Sequence, residues 1–218
     1  MRDYERFNEY LDRLQGDIYP QPTDPGHLEW AIESLQMIPE DVMTVLDVGC
    51  GTGFCQDIFL GKKMIYSGIT LGIADYKHAR YNDRNVLLGD MSYLPWNDED
   101  FHLVFARHAL EHSPFPIITL MEWHRVASKY LLLVAPAPDY WNYHGKNHYS
   151  VANAQQLWWW LARAGWEIDK RWYLWSDDDS FMKHYLPQEQ DRSKVEYPGP
   201  PVVVEYRYLC KKVNPKVE

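Results

Sequence analysis

The chain has 218 residues, with 22 Lys plus Arg against 31 Asp plus Glu and a formal net charge of -9. That length fits one α/β domain with elaborations at its ends, and the acidic balance argues against a non-specific binder of nucleic acid or anionic membrane. Cys50, Cys55 and Cys210 form no zinc-type pair, the N-terminal stretch MRDYERFNEYLDRL has no apolar signal core, and no apolar run approaches the ~18 residues that cross a bilayer. The expectation is a soluble cytoplasmic protein with reduced thiols.

Helical spacing of Phe7, Leu11 and Leu14 predicts a helix over 3–14, and Leu28, Ile32 and Leu35 predict another over 24–37, with Asp24 as N-cap, Pro25 at its first position and Pro39 beyond its end. A proline-rich loop, YPQPTDP, joins them. Residues 1–40 thus read as a helical extension and 41–218 as the main domain. Short apolar runs then predict strands over 44–48, 64–69, 85–88, 102–106, 130–135, 166–174 and 202–209. Helices are predicted between most of them, over 53–60, 73–81, 116–127 and 151–164, the last capped by Ser150. This alternation implies a mostly parallel sheet covered on both faces, with the last two strands antiparallel.

The first strand runs into VLDVGCGTGF, where Gly49, Gly51 and Gly53 alternate. Open parallel sheets bind ligands beyond the carboxyl ends of their strands, and glycine there permits positive φ and close backbone approach. A helix starting near Gly53 adds the positive end of its dipole for an anionic group such as a carboxylate. A dinucleotide fingerprint would need a small residue where Phe54 stands.

In this register the chain resembles the class I S-adenosylmethionine-dependent methyltransferases, particularly the type 11-like group that modifies small molecules. The resemblance spans about residues 42–170 and rests on VLDVGCGTG, YSGITLG, NVLLGDMSYLPWNDEDFHLVFARHALEH, the helix ending in EWHRV, LLLVAPAP and QLWWWLARAGWEI. It implies a Rossmann-like sheet of seven strands in the order 3-2-1-4-5-7-6, with the last strand antiparallel, and S-adenosyl-L-methionine as cofactor. It also implies that Asp47, Gly49, Cys50, Gly51, Thr52 and Gly53 hold the methionine part. Asp90 and Met91 would flank adenine, and Arg107 with His108 would face the sulfonium. Family members usually carry an acidic residue for the ribose hydroxyls where this chain has Thr70; Asp75 is a candidate substitute. His102 stands where the family often has Asp and reads as structural.

For an oxygen acceptor the protein must align the nucleophile and remove a proton, for which histidine suits neutral pH. His148 and His144, in the aromatic loop APAPDYWNYHGKNHYS, and His108, in HALEH, are the candidate catalytic residues. HALEH also matches the H-x-x-E-H signature of inverted zinc proteases. Pro114 and Pro116 leave room for only a short turn, and the expectation is no metal, with Glu111 and His112 ordering the loop. In WWW, 158–160, the stripe Leu157, Trp160, Leu161 and Ala164 faces inward, so at least one Trp points outward. SDDDS, 176–180, lacks the spaced ligands of a calcium loop.

The function expected is O-methylation of a small molecule. A non-catalytic subunit of the same fold that supports a partner enzyme is the alternative, and a nucleic-acid or protein methyltransferase is third, since no NPPY-type base-holding motif follows the fourth strand. Nucleic-acid and membrane partners are not expected. A homo-oligomer or a protein partner stays open.

Overall fold

The computed structural model describes residues 25–138, 147–176 and 201–213, together with Glu9 and Arg13, which are both helical. The rest of the first predicted helix, the Asp24 cap, His144 and most of SDDDS lie outside the described residues.

Seven strands form one sheet among the described residues: β1 (Thr44–Val48), β2 (Ile65–Thr70), β3 (Val86–Leu88), β4 (Phe101–Arg107), β5 (Ala127–Pro136), β6 (Trp166–Trp175) and β7 (Val203–Lys212). Their order is β3-β2-β1-β4-β5-β7-β6, as the resemblance implies. The first five are parallel, and β7 inserts antiparallel between β5 and β6.

The period of two along the central strands splits the core into two layers. Leu46, Val48, Val104, Ala106, Leu131 and Leu133 pack on one face, against α4 (Pro116–Val126) and α5 (Ala154–Arg163). Val45, Leu103, Phe105, Leu132 and Val134 pack on the other, against α1 (Pro25–Ser34), α2 (Gln56–Gly61) and α3 (Ile73–Tyr81). Strands sandwiched this way need apolar residues at consecutive positions, which is why they read as unbroken runs. The 3-10 turn Leu35–Met37 ends the α1 segment and buries Leu35 and Met37 on the same sheet face.

Two helix starts differ from the sequence-based expectation. The helix expected at 53 begins at Gln56, because Gly53 has φ +70 and the chain turns through it before winding. The helix expected at 151 begins after Asn153, whose side chain accepts from the Gln156 amide at 2.9 Å. Ser150 is occupied elsewhere: its hydroxyl donates to the Ser113 carbonyl at 2.6 Å and its amide to the Glu111 carbonyl at 2.9 Å. His102 is structural, accepting from the Met43 amide at 3.0 Å. On α5 the predicted stripe is buried, and Trp158 and Trp159 are the outward pair, 58% and 47% exposed, with Arg163 over the Trp159 ring.

Candidate active site

The sheet reverses its order between β1 and β4, and the turn after β1 lies at that switch point. Gly49, Gly51 and Gly53 have φ of +68, +54 and +70, a conformation that side chains disfavour. Gly49 carries a second constraint, since a Cβ there would stand 2.6 Å from the Ala109 Cβ. The turn after β4 is thereby pressed directly against the glycine turn. The Cys50 amide donates to the Ile69 carbonyl at 3.1 Å and the Gly53 amide to the Cys50 carbonyl at 2.9 Å, so these two amides fix the turn itself. Arg84 braces it from the side, donating to the Thr52 carbonyl at 2.8 Å. Burial pushes the Cys50 thiol well above its ordinary value, so it packs as a small apolar group.

Under this turn the Asp47 carboxylate is buried and accepts from the Tyr66 hydroxyl at 3.0 Å. Burial raises its pKa from 3.8 to about 7, against the opposing Tyr66 bond and the charge of Arg107. A carboxylate in that state is completed by a cationic partner such as an ammonium.

At the ends of the neighbouring strands, Thr70 is buried and its hydroxyl accepts from the Gly72 amide at 3.3 Å. Asp75 is buried in the first turn of α3. Asp90 accepts from the Ser92 amide at 2.6 Å, and the Met91 carbonyl accepts from the Trp123 indole at 3.0 Å, which anchors this segment to α4.

The β4 end carries a charge network that only the fold assembles. The Glu205 carboxylate, fully buried on β7, reaches Arg107 at 3.0 Å, His108 Nε2 at 2.7 Å and Arg207 at 3.1 Å. Arg207 extends the network to Glu33 on α1 at 3.2 Å. Burial alone would raise the pKa of Glu205, and the charge of Arg107, the bond from His108 and the charge of Arg207 outweigh it, holding the group ionised well below the usual range. His108 has φ +48, with its amide bonded to the Val134 carbonyl at 2.9 Å. Its strained backbone and its bond to Glu205 fix the ring at the same edge as the glycine turn.

Beside it, Glu111 and His112 lie in the 3-10 turn Leu110–His112. Burial raises Glu111 to about 8, offset in part by its own backbone amide and by Arg107. Burial and the neighbouring His148 lower His112 to about 4. The His112 and His148 rings meet edge to face, 4.9 Å between centroids.

The structure therefore brings Asp47, the glycine turn, Thr70, Asp90, Met91, Arg107 and His108 to one edge of the sheet, with His148 against His112 alongside. Sequence reasoning missed Tyr66, Glu205 and Arg207. The last two had a signal: a Glu and an Arg two apart in an otherwise apolar strand share one buried face and must be paired.

Residues 46–132 match the family described as a methyltransferase domain. A malonyl-[acyl-carrier protein] O-methyltransferase of Yersinia pestis is 32% identical over 84 residues, which are 38% of this chain and 32% of that protein. The chain thus matches about a third of that relative's length. Among solved structures, the putative methyltransferase in complex with the Trm112 activator of Haloferax volcanii superposes with a TM-score of 0.67 at 16% identity, covering 89% of this chain and 100% of that one. A SAM-dependent methyltransferase of Archaeoglobus fulgidus gives a TM-score of 0.64 at 15% identity, over 85% and 93% of the two chains. The Archaeoglobus fulgidus protein is named as dependent on S-adenosylmethionine as its cofactor. The donor set fits it: a cationic amino acid moiety suits Asp47 and the glycine turn, and a nucleoside suits the oxygen acceptors of Thr70 and Asp90.

Proposed function

We propose that this chain, by fold and domain a member of the class I S-adenosylmethionine-dependent methyltransferases, transfers a methyl group to an oxygen atom of a small molecule. The observation that carries the oxygen assignment is His108, held by the buried Glu205 carboxylate immediately beside the glycine turn. S-adenosyl-L-methionine, when bound, supplies a sulfonium-activated methyl group whose carbon–sulfur bond breaks as the new carbon–oxygen bond forms. Asp47 and residues 49–53 would hold its methionine end, Thr70 its ribose, and Asp90 with Met91 its adenine. His108 donates Nε2–H to Glu205, which presents Nδ1 as the acceptor for the proton lost by the acceptor hydroxyl. Its carboxylate partner both orients the ring and stabilises the imidazolium that forms. Of the two candidate histidines among the described residues, His108 has the carboxylate partner, at 2.7 Å, that would orient a base.

The relative from Yersinia pestis is named as an O-methyltransferase, which supports the oxygen over other nucleophiles without fixing the acceptor. A second reading, a subunit that acts with a protein partner, is favoured by the exposed Trp158 and Trp159. A structural neighbour bound to an activator supports it as well.

Calorimetry with S-adenosylhomocysteine separates the readings. Wild-type protein should bind one equivalent, and Gly51→Val, which places a branched side chain at φ +54, should abolish binding while the fold survives. His108→Ala should retain the cofactor and lose ~10²-fold or more in turnover once an acceptor is found. Absence of binding by a folded wild type would leave the scaffold reading.

A further inference from the structure

We propose that Glu111, His112 and His148 form a binding site for a divalent first-row metal ion, next to the methyl-transfer edge. One ligand atom from each residue lies within 4.8 Å of the other two. Ligands sharing an ion at ~2.1 Å stand ~3–4 Å apart, so small side-chain rotations close the set. One carboxylate and two imidazoles are a set that selects transition metals over magnesium or calcium.

Three further observations point to a ligand here. The Glu111 side chain is 1% exposed, and beyond its own backbone amide neither of its oxygens meets a hydrogen-bond donor among the described residues; His108 Nδ1 comes no closer than 3.6 Å. A buried carboxylate with no other donor than its own amide is costly, and a cation bound in that position offsets the cost. His112 Nδ1 stands 3.1 Å from the Asn147 carbonyl, a bond that fixes the tautomer and makes Nε2 the ligating nitrogen. The two segments that supply the ligands are also fastened together. Ser150 bonds the carbonyls of Glu111 and Ser113, so His148 is held against the turn that carries Glu111 and His112.

The site differs from an inverted zinc protease motif, in which both histidines of H-x-x-E-H ligate. Here His108 turns to Glu205 instead, and His148 takes its place from a loop 36 residues beyond His112. The sequence-based expectation of a metal-free loop rested on the brevity of that helical turn. Tertiary contact supplies the ligand that the helix does not.

If the methyltransferase reading holds, an ion here would bind the acceptor's oxygen and lower its pKa beside His108. That role rests on the reading above, whereas the site itself does not.

The test uses full-length protein stripped with a chelator and titrated with Zn²⁺ and with Co²⁺, whose visible bands report its ligands. Wild type should bind one equivalent of each and gain thermal stability that chelator reverses. Glu111→Gln, which keeps the side-chain shape, and His148→Ala should weaken binding by more than the ~10–100-fold expected for loss of an outer partner. His124→Ala, a histidine bonded to the Val213 carbonyl, should leave binding unchanged. S-adenosylhomocysteine binding, measured in parallel, should survive in all three variants. A wild type that binds neither ion below ~100 µM, or equal binding by Glu111→Gln and His148→Ala, overturns the site. A wild type that binds the ion but not S-adenosylhomocysteine overturns the methyltransferase reading and leaves the metal site standing.

Discussion

Asp47→Asn removes a buried carboxylate and keeps an oxygen to accept from the Tyr66 hydroxyl. In the folded protein the Asp47 pKa is raised from 3.8 to about 7. A group whose folded pKa is raised favours folding while it stays protonated, fully so below pH 3.8, and that contribution is lost as pH rises through 7. The move from 3.8 to about 7 corresponds to roughly 4 kcal/mol, the cost of an ionised Asp47 in the unliganded fold at alkaline pH. The Asn variant escapes this cost, and every other titrating group is common to both proteins. Its stability advantage over wild type should therefore widen by ~2–3 kcal/mol between pH 5 and pH 8. Urea unfolding followed by far-UV circular dichroism reads this directly, as a midpoint difference that grows by ~1–2 M over that range. A difference that stays flat from pH 5 to pH 8 would show that Asp47 is ionised throughout and already paired, and the argument for a cation-seeking carboxylate would fall.

Two further substitutions probe the same edge. Thr70→Asp should tighten S-adenosylhomocysteine binding by ~10-fold, because a charge-assisted hydrogen bond to a ribose hydroxyl contributes ~1.5–3 kcal/mol and a neutral one about half of that; isothermal titration that shows weaker binding would mean that another group holds the ribose. Glu205→Gln should cost ~3–5 kcal/mol in chemical unfolding, since Arg107 would stay buried without its counter-charge and Arg207 would keep only the part-exposed Glu33. A loss under ~1 kcal/mol would mean that water replaces the carboxylate and the network is not sealed.

The sequence by itself determined the architecture around the site. Unbroken apolar runs marked strands buried on both faces, and alternation with helical spacing required the parallel sheet. Glycines at 49, 51 and 53 marked a turn in a conformation that other residues resist. These are local signals, because each reflects the environment of one short segment, and the ordered family segments fixed the strand order that periodicity alone leaves open. The helix starts at Gln56 and after Asn153 escaped the sequence reading for a competing local reason: Gly53 turns the chain before the helix begins, and Ser150 serves a tertiary bond.

Only the tertiary structure decided which ionisable groups meet. Glu205 meets Arg107 and His108 from 98 and 97 residues away, across the antiparallel insertion of β7 beside β5. His148 meets Glu111 and His112 because Ser150 fastens its loop to theirs. The energies involved depend on burial and on distances of a few ångströms, and neither is encoded in the spacing of residues along the chain. HALEH therefore read as a short loop motif with its chemistry undecided. The groups that meet His108 and His112, Glu205 and His148, come from a strand and a loop that sequence order places elsewhere.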